Sequence, residues 1–190
     1  MVAAPIDFNA IRAGGSSIQD FADSLTVEDL KQATEFTINT MLAHIASCVD
    51  ADVSFVALDP EATEGLKNAE GESLGWTLSH VIAHTTATGE ASAFGALDLA
   101  RGISLQGISR YETPWTELTT IEHCRQRLNE SLRMRLASLT AWPDHPNLTN
   151  RYTPFPGAGN LNAKGLLLLG LEHDSVHQNQ LAKIVQQLHK

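Results

Sequence analysis

The feature that most constrains this chain is a helical stripe late in the sequence that contains two histidines. Residues 166–188 read LLLLGLEHDSVHQNQLAKIVQQL. At helical spacing, one face of this stretch is formed by Leu166, Leu169, His173, His177, Leu181, Ile184 and Leu188. Apolar residues that recur at intervals of three and four are typical of a helix with one buried face. Asn162 is placed to cap the start of this helix.

Two imidazoles on a buried face need an explanation, because a buried polar ring is costly unless its nitrogens find partners. His173 and His177 are four residues apart, so their side chains project in the same direction and can reach one ion. The alternative is a pair of core histidines that are satisfied by ordinary hydrogen bonds. Glu172 and Asp174 flank His173 and are predicted to point off the stripe.

Three further helices are predicted from periodicity. The first runs from Thr26 to about Val49 and begins with a capping box of Thr26 and Asp29. The second covers about Thr77–Arg101. The third covers about Thr119–Trp142, with its apolar stripe at Ile121, Leu128, Leu132, Leu136 and Leu139. On this third helix, Arg125, Arg127, Arg133 and Arg135 are predicted to lie mostly on the solvated side.

The remaining segments are predicted as connections. No run alternates as a strand would, so we expect an all-α, four-helix bundle in one domain, residues 1–190, with 1–25 as a loosely ordered lead-in. A turn of helix is expected around Pro60–Asn68. The segment Asp144–Leu161 is long for a connection and carries Tyr152 and Phe155. Long loops in compact domains are often functional, so we expect this one to border the mouth of a pocket.

The second predicted helix also carries a histidine pair, His80 and His84. Ala87 and Ala91 follow on the side of His84, and small residues there fit either a pocket or close helix packing. A di-iron centre is disfavoured, because its Glu-x-x-His motif is missing: Ser175 follows Glu172 at that spacing. The HExxH motif is also absent. A mononuclear site of imidazoles with one open position remains, as in catalytic zinc sites.

These residues carry a family resemblance. Trp76-Thr-Leu-Ser-His80-Val-Ile-Ala-His84 resembles the tryptophan–histidine motif of the DinB/YfiT-like superfamily, and His173-x-x-x-His177-x-x-Gln180 resembles its fourth-helix motif. The resemblance covers most of the chain. It implies that His84, His173 and His177 bind one divalent metal ion, with Zn or Ni expected, and that His80 stays outside the triad. It also implies an up-down-down-up order of helices.

The function implied by the resemblance is a metal-dependent thiol S-transferase or isomerase that uses a low-molecular-weight thiol. The alternative is a non-catalytic metal-binding or stress-response module, for which a closed four-ligand site with His80 or His44 would argue. No residue stands out as a general base, and the catalytic residues are not identified by sequence.

Charge and cysteine content limit the partners and the compartment. The net charge is −9 and there is no basic patch, so we expect no nucleic-acid partner and no membrane partner. Cys48 and Cys124 are expected to be buried, reduced thiols of a cytoplasmic protein. The first residues lack the pattern of a secretion signal. A homodimer is expected, because the second and third helices carry more apolar surface than one bundle face needs.

Overall fold

The computed structural model describes residues 6–13, 15, 17–57, 66–67 and 73–188. In this part of the chain the helices are α1 (Phe8–Ala13), α2 (Ile18–Asp23), α3 (Val27–His44), α4 (Leu78–Ala100), α5 (Ile121–Thr140) and α6 (Ala163–Leu188). Two short strands, β1 (Leu66–Lys67) and β2 (Ser73–Leu74), pair antiparallel, and 3-10 turns occur at Asp50–Asp52 and Trp115–Glu117. Helices α3–α6 are the four predicted long helices.

Residues 1–25, predicted as a lead-in, contain α1 and α2, and residues 1–5 lie outside the described part. The predicted helical turn around Pro60–Asn68 also lies mostly outside it, and its described residues form strand β1 instead.

Helix starts follow from capping side chains. Thr26 and Asp29 form the predicted capping box at α3, with reciprocal backbone hydrogen bonds. Thr77 and Thr120 cap α4 and α5 by accepting hydrogen bonds from backbone N–H groups three residues on. Asn162 caps α6, since its Oδ1 accepts from the Gly165 N–H at 3.0 Å. The predicted starts are therefore correct to within two residues, whereas α3 ends at His44, five residues before the predicted Val49.

The four long helices pack as a bundle in which α3 and α4 each contact both α5 and α6. Helix α2 packs against α6. The prediction of an all-α, four-helix fold is confirmed, while the up-down-down-up order stays a prediction. None of the helices within the described ranges is both long and apolar enough to cross a membrane.

The core has an apolar cluster at each end and a polar layer between them. One cluster lies around Met41, Ile82, Leu128 and Leu181, and the other around Leu30, Leu99, Leu139 and Leu166. Along each helix, buried polar residues separate the two clusters. We call these residues the polar layer: Thr34, Thr85, Ser131, Arg135 and Asp174. Buried polar groups are costly unless they are paired. Thr34 and Thr85 donate to carbonyls of their own helices, whereas the charges of Arg135 and Asp174 pair across helices.

Arg135 corrects the prediction for α5. It was expected on the solvated side, yet it is only 1% exposed and forms an ion pair with the fully buried Asp174 of α6. Asp174 itself was expected off the buried stripe of α6. The buried face of α5 passes through Ser131 and Arg135, and this leaves Leu132 and Leu136 only partly buried. Neutralisation by Asp174 is the physical reason that an arginine can lie there.

The segment Asp144–Leu161 lies at the other end of the bundle from the histidines. The Asn147 N–H donates to the carbonyl of Ala100 at 2.8 Å, and Tyr152 bridges to Leu161 beside the second apolar cluster. At about 1.5 Å per residue, Ala100 is roughly 24 Å from His84 along α4. The prediction that this loop borders the site is therefore wrong.

Candidate metal centre

Three histidines from two helices converge on one point. His84 comes from α4, and His173 and His177 come from α6. One ligand atom from each ring lies within 4.8 Å of the other two. The Nε2 atoms of His84 and His173 are 3.0 Å apart. This group can hold a metal ion, because neutral imidazole nitrogens are common ligands of divalent metals.

Small residues let the two helices approach closely enough for the rings to meet. A Cβ on Gly170 of α6 would lie 2.7 Å from the Cβ of Ser92 on α4, which is too short for a normal contact. Glycine at this position is therefore required by the close approach of the helices. His173 follows Gly170 on α6, so this packing brings its ring to α4 and His84.

His177 is oriented by a neighbour on its own helix. Its Nδ1 lies 2.8 Å from Oε1 of Gln180, one turn further along α6. The amide oxygen accepts hydrogen bonds, so this contact places the proton on Nδ1 and leaves the lone pair on Nε2. His177 is thus held in the tautomer that can bind a metal through Nε2.

His173 has a carboxylate beside it that is held by Arg135. The Nδ1 of His173 and the Oδ1 of Asp174 are 4.0 Å apart. Both atoms are buried, and neither has a hydrogen-bond partner within the described residues. The other oxygen of Asp174 pairs with Arg135, which also donates to the carbonyl of Thr85 at 3.1 Å. A Cβ on Gly89 would overlap the Arg135 guanidinium, so glycine at this position of α4 leaves the space that the guanidinium occupies.

His84 is contacted by charged residues from the segment that precedes α5. The Nη2 of Arg110 lies 3.1 Å from Nδ1 of His84, and the Oε2 of Glu112 lies 3.8 Å from the same atom. Arg110 and Glu112 are themselves ion-paired, and Arg110 also donates to Thr88 Oγ1. A guanidinium can only donate, so Nδ1 accepts from Arg110 in this arrangement and the ring proton lies on Nε2. Binding of a metal through Nε2 would place the proton on Nδ1, from which the Glu112 carboxylate is 3.8 Å away.

The environment keeps His84 neutral. Burial, followed by the neighbouring His173, His177 and Arg110, lowers the pKa of His84 from 6.5 to about 3. A histidine with this pKa is uncharged at neutral pH, and the uncharged ring is the form that binds a metal.

A comparison with protein families assigns the chain to a known group. The family model of the DinB superfamily matches residues 10–181. The chain belongs to the DinB superfamily. A search of the curated proteins and a search of the solved structures found no match.

In this DinB-superfamily chain, the two histidines of α4 have different surroundings. His80 is buried and stacks on Trp76, with ring centroids 3.9 Å apart and planes within 9°. Trp115 lies near its ring as well, at 5.7 Å. Burial lowers the pKa of His80, and the ring lies outside the group of three. The partly buried His44 is also outside it. The geometry therefore selects His84, which sequence periodicity alone left undecided.

Three residues around the histidine cluster were not identified from the sequence as its neighbours: Arg110, Glu112 and Arg135. Asp174 is named there beside His173, but the prediction that it points off the buried stripe is wrong. Arg110 and Glu112 belong to a glycine-containing connection with no periodic pattern. Arg135 was assigned to solvent because charged residues are usually exposed. The sequence does place Arg135 and Asp174 among apolar residues at helical spacing. That pattern does not indicate that these two residues pair with each other.

Proposed function

We propose that this DinB-superfamily protein is a divalent-metal-dependent enzyme of the thiol S-transferase or isomerase type. His84, His173 and His177 would hold the metal, for which Zn and Ni are the candidates. The observation that carries the proposal is the convergence of three imidazole nitrogens within 4.8 Å. Three protein ligands with an open position are typical of catalytic rather than structural sites.

The surroundings of the cluster fit a metal ion. Ligation through Nε2 fixes the ring proton on Nδ1, which then needs an acceptor. Gln180 supplies one for His177, and the otherwise unpaired Oδ1 of Asp174 is the nearest candidate for His173. When bound, a divalent ion would lower the pKa of a thiol placed beside it. Imidazole suits Zn and Ni alike, so the ligands do not choose between them.

The reacting thiol would come from a small molecule. Cys48 and Cys124 are free but buried in the apolar cluster around Ile82. Burial raises the pKa of Cys48 and raises that of Cys124 to about 12. Neither cysteine has the depressed pKa and partial exposure of a reactive thiol. This agrees with the use of an external low-molecular-weight thiol.

The proposed transfer is chemically simple. The S–H bond of the thiol and the bond between the electrophile and its leaving group break, and a carbon–sulfur bond forms. The leaving group departs with the electron pair, and the thiol proton is released with it. Arg110 and Glu112 border His84 from outside the helices, so we infer that they line the approach of the substrate.

Elemental analysis followed by a thiol assay tests the proposal. The purified protein should contain about one divalent metal per chain and should transfer thiols from a panel of low-molecular-weight thiols to an aryl halide. Loss of turnover in His177→Ala would link activity to the cluster. Stoichiometric metal without turnover for any thiol would favour the non-catalytic module instead. A protein that binds no metal would refute both.

The expected partners follow from this proposal: a small-molecule substrate, with neither nucleic acid nor membrane. The cytoplasmic location and the homodimer stay predictions. Light scattering at micromolar protein concentration tests the dimer, and a monomer mass would contradict it.

A further inference from the structure

A cleft runs along α4 beside the histidine cluster. Its volume is about 320 Å³, which lies within the range of small-molecule pockets. Its floor is α4 from Ala87 to Asp98, a length of roughly 16 Å at 1.5 Å per residue. Met134 of α5 forms one wall, and residues 105–111 form the other.

The lining of the cleft is mainly apolar and carries no free positive charge. The floor is lined by the small residues Ala87, Ala91 and Gly95, which leave space above α4. Ile108 and Met134 form apolar walls. The charged groups in the lining are two carboxylates, Glu90 and Asp98. Glu90 is neutralised by an ion pair with Arg127. An anionic ligand would meet the Asp98 carboxylate without a compensating cation, whereas an uncharged apolar group would not be repelled.

One end of the cleft lies close to the candidate metal centre, although none of the three histidines lines it. Ala87 lies one turn after His84 on α4. At the same end, the wall residue Tyr111 stands between Arg110 and Glu112, the two residues that approach Nδ1 of His84. A molecule that occupies the cleft therefore has one end near the Arg110–Glu112 pair that borders His84.

We infer that this cleft binds the uncharged, apolar part of the electrophilic substrate and directs its reactive end toward the histidines. This inference rests on the proposed function, because the substrate must react at the cluster. It names the substrate class: an electrophile with an aromatic or alkyl body and no negative charge on that body.

A matched pair of fluorescent probes tests the inference. N-phenyl-1-naphthylamine is uncharged, and 1-anilinonaphthalene-8-sulfonate is the same framework with one sulfonate. The Co²⁺-loaded protein should bind the uncharged probe at least tenfold more tightly. Ala91→Leu fills the cleft about two turns from His84 and should weaken that binding at least tenfold. Ala137→Leu makes the same change on the exposed face of α5 and should leave it unchanged.

The position of the bound probe is tested separately. Co²⁺ should quench the bound uncharged probe, and His177→Ala should remove the quenching while the affinity for the probe persists. Equal affinity in wild type and Ala91→Leu, or equal affinity for both probes, would overturn the inference. Binding without quenching in protein shown to hold Co²⁺ would also overturn it.

Two controls separate the possible failures. Circular dichroism and metal content report whether Ala91→Leu has folded. If Ala91→Leu has not folded, Met134→Ala is used instead, because it removes a wall residue and introduces no larger side chain. It should weaken binding of the uncharged probe several-fold. An unchanged affinity would count against the cleft. If the wild type binds no Co²⁺, the proposed function fails, while the comparison of affinities still decides whether the cleft binds an apolar group.

Discussion

The two histidine pairs of this bundle have the same spacing but contribute differently to the cluster of three histidines. On α6, His173 and His177 both enter the cluster, whereas on α4 only His84 does. His80 lies instead against Trp76 and near Trp115. Trp76 also lies near His177, at 5.5 Å, but the rings of α6 have polar neighbours in addition, namely Asp174 and Gln180. The comparison teaches that a four-residue spacing puts two rings on one face, while the neighbouring side chains decide what each ring can do.

The largest expected effect is on metal content. Replacing His173, His177 or His84 with Ala should abolish stoichiometric metal, because each change removes one of the three proposed ligands. His80→Ala should retain most of it, because that ring is outside the cluster. Elemental analysis of the purified variants measures the difference. A His80→Ala protein without metal beside a His84→Ala protein with metal would reverse the assignment on α4.

The next effect concerns the ion pair beside the α6 histidines. Arg135→Met leaves the buried Asp174 carboxylate without a partner and should lower the free energy of unfolding by about 3–5 kcal/mol. Arg133→Met, in an exposed pair with Glu130 on the same helix, should stay close to wild type. Urea denaturation measures both. Similar small losses in the two variants would mean that Asp174 does not depend on Arg135.

A smaller effect is expected from the acceptor proposed for His173. Asp174→Asn keeps the size of the side chain and removes its charge, so metal affinity should fall about ten- to a hundredfold. Glu172→Gln, the same type of change on the other side of His173, is the control and should bind metal like wild type. Competition with a chelator of known affinity measures both. An unchanged metal affinity in Asp174→Asn would show that the Asp174 carboxylate does not support metal binding.

A last effect is a pH dependence of the metal-free protein. The pKa of His84 is 6.5 in its ordinary state and about 3 in the folded chain. Between these pH values the unfolded chain binds a proton that the folded chain does not, so stability should fall as the pH drops from 6.5 toward 3. His84→Gln should flatten this slope, and urea denaturation between pH 4 and 8 measures it. A slope that is identical in both proteins would show that His84 does not cause it.

Much of the fold could be predicted because its signals are local. Capping residues such as Thr26 and Asn162 and the recurrence of apolar residues act within one helix, so they can be read from neighbouring positions. The three histidines were named through the family motif, and the structure brings these three together. The homodimer, the metal and the thiol remain predictions.

Some predictions failed because the deciding contacts join distant parts of the chain. Arg135 was assigned to solvent, since nothing in α5 indicates that α6 supplies a carboxylate to meet it. The loop 144–161 is predicted to border the site because it leads into α6. The histidines of α6 lie several turns after the start of that helix, however, and therefore far from the loop.

The sequence by itself determined where the long helices begin and which histidine pairs share a face, because side-chain direction repeats every three to four residues in a helix. Only the tertiary structure decided which member of the α4 pair joins the cluster, that Arg135 and Asp174 form a buried pair, and that Arg110 and Glu112 reach His84. These outcomes depend on the approach of separate helices and on the partners available in the core. Burial without a partner is costly, so packing rather than local pattern selects which polar groups meet.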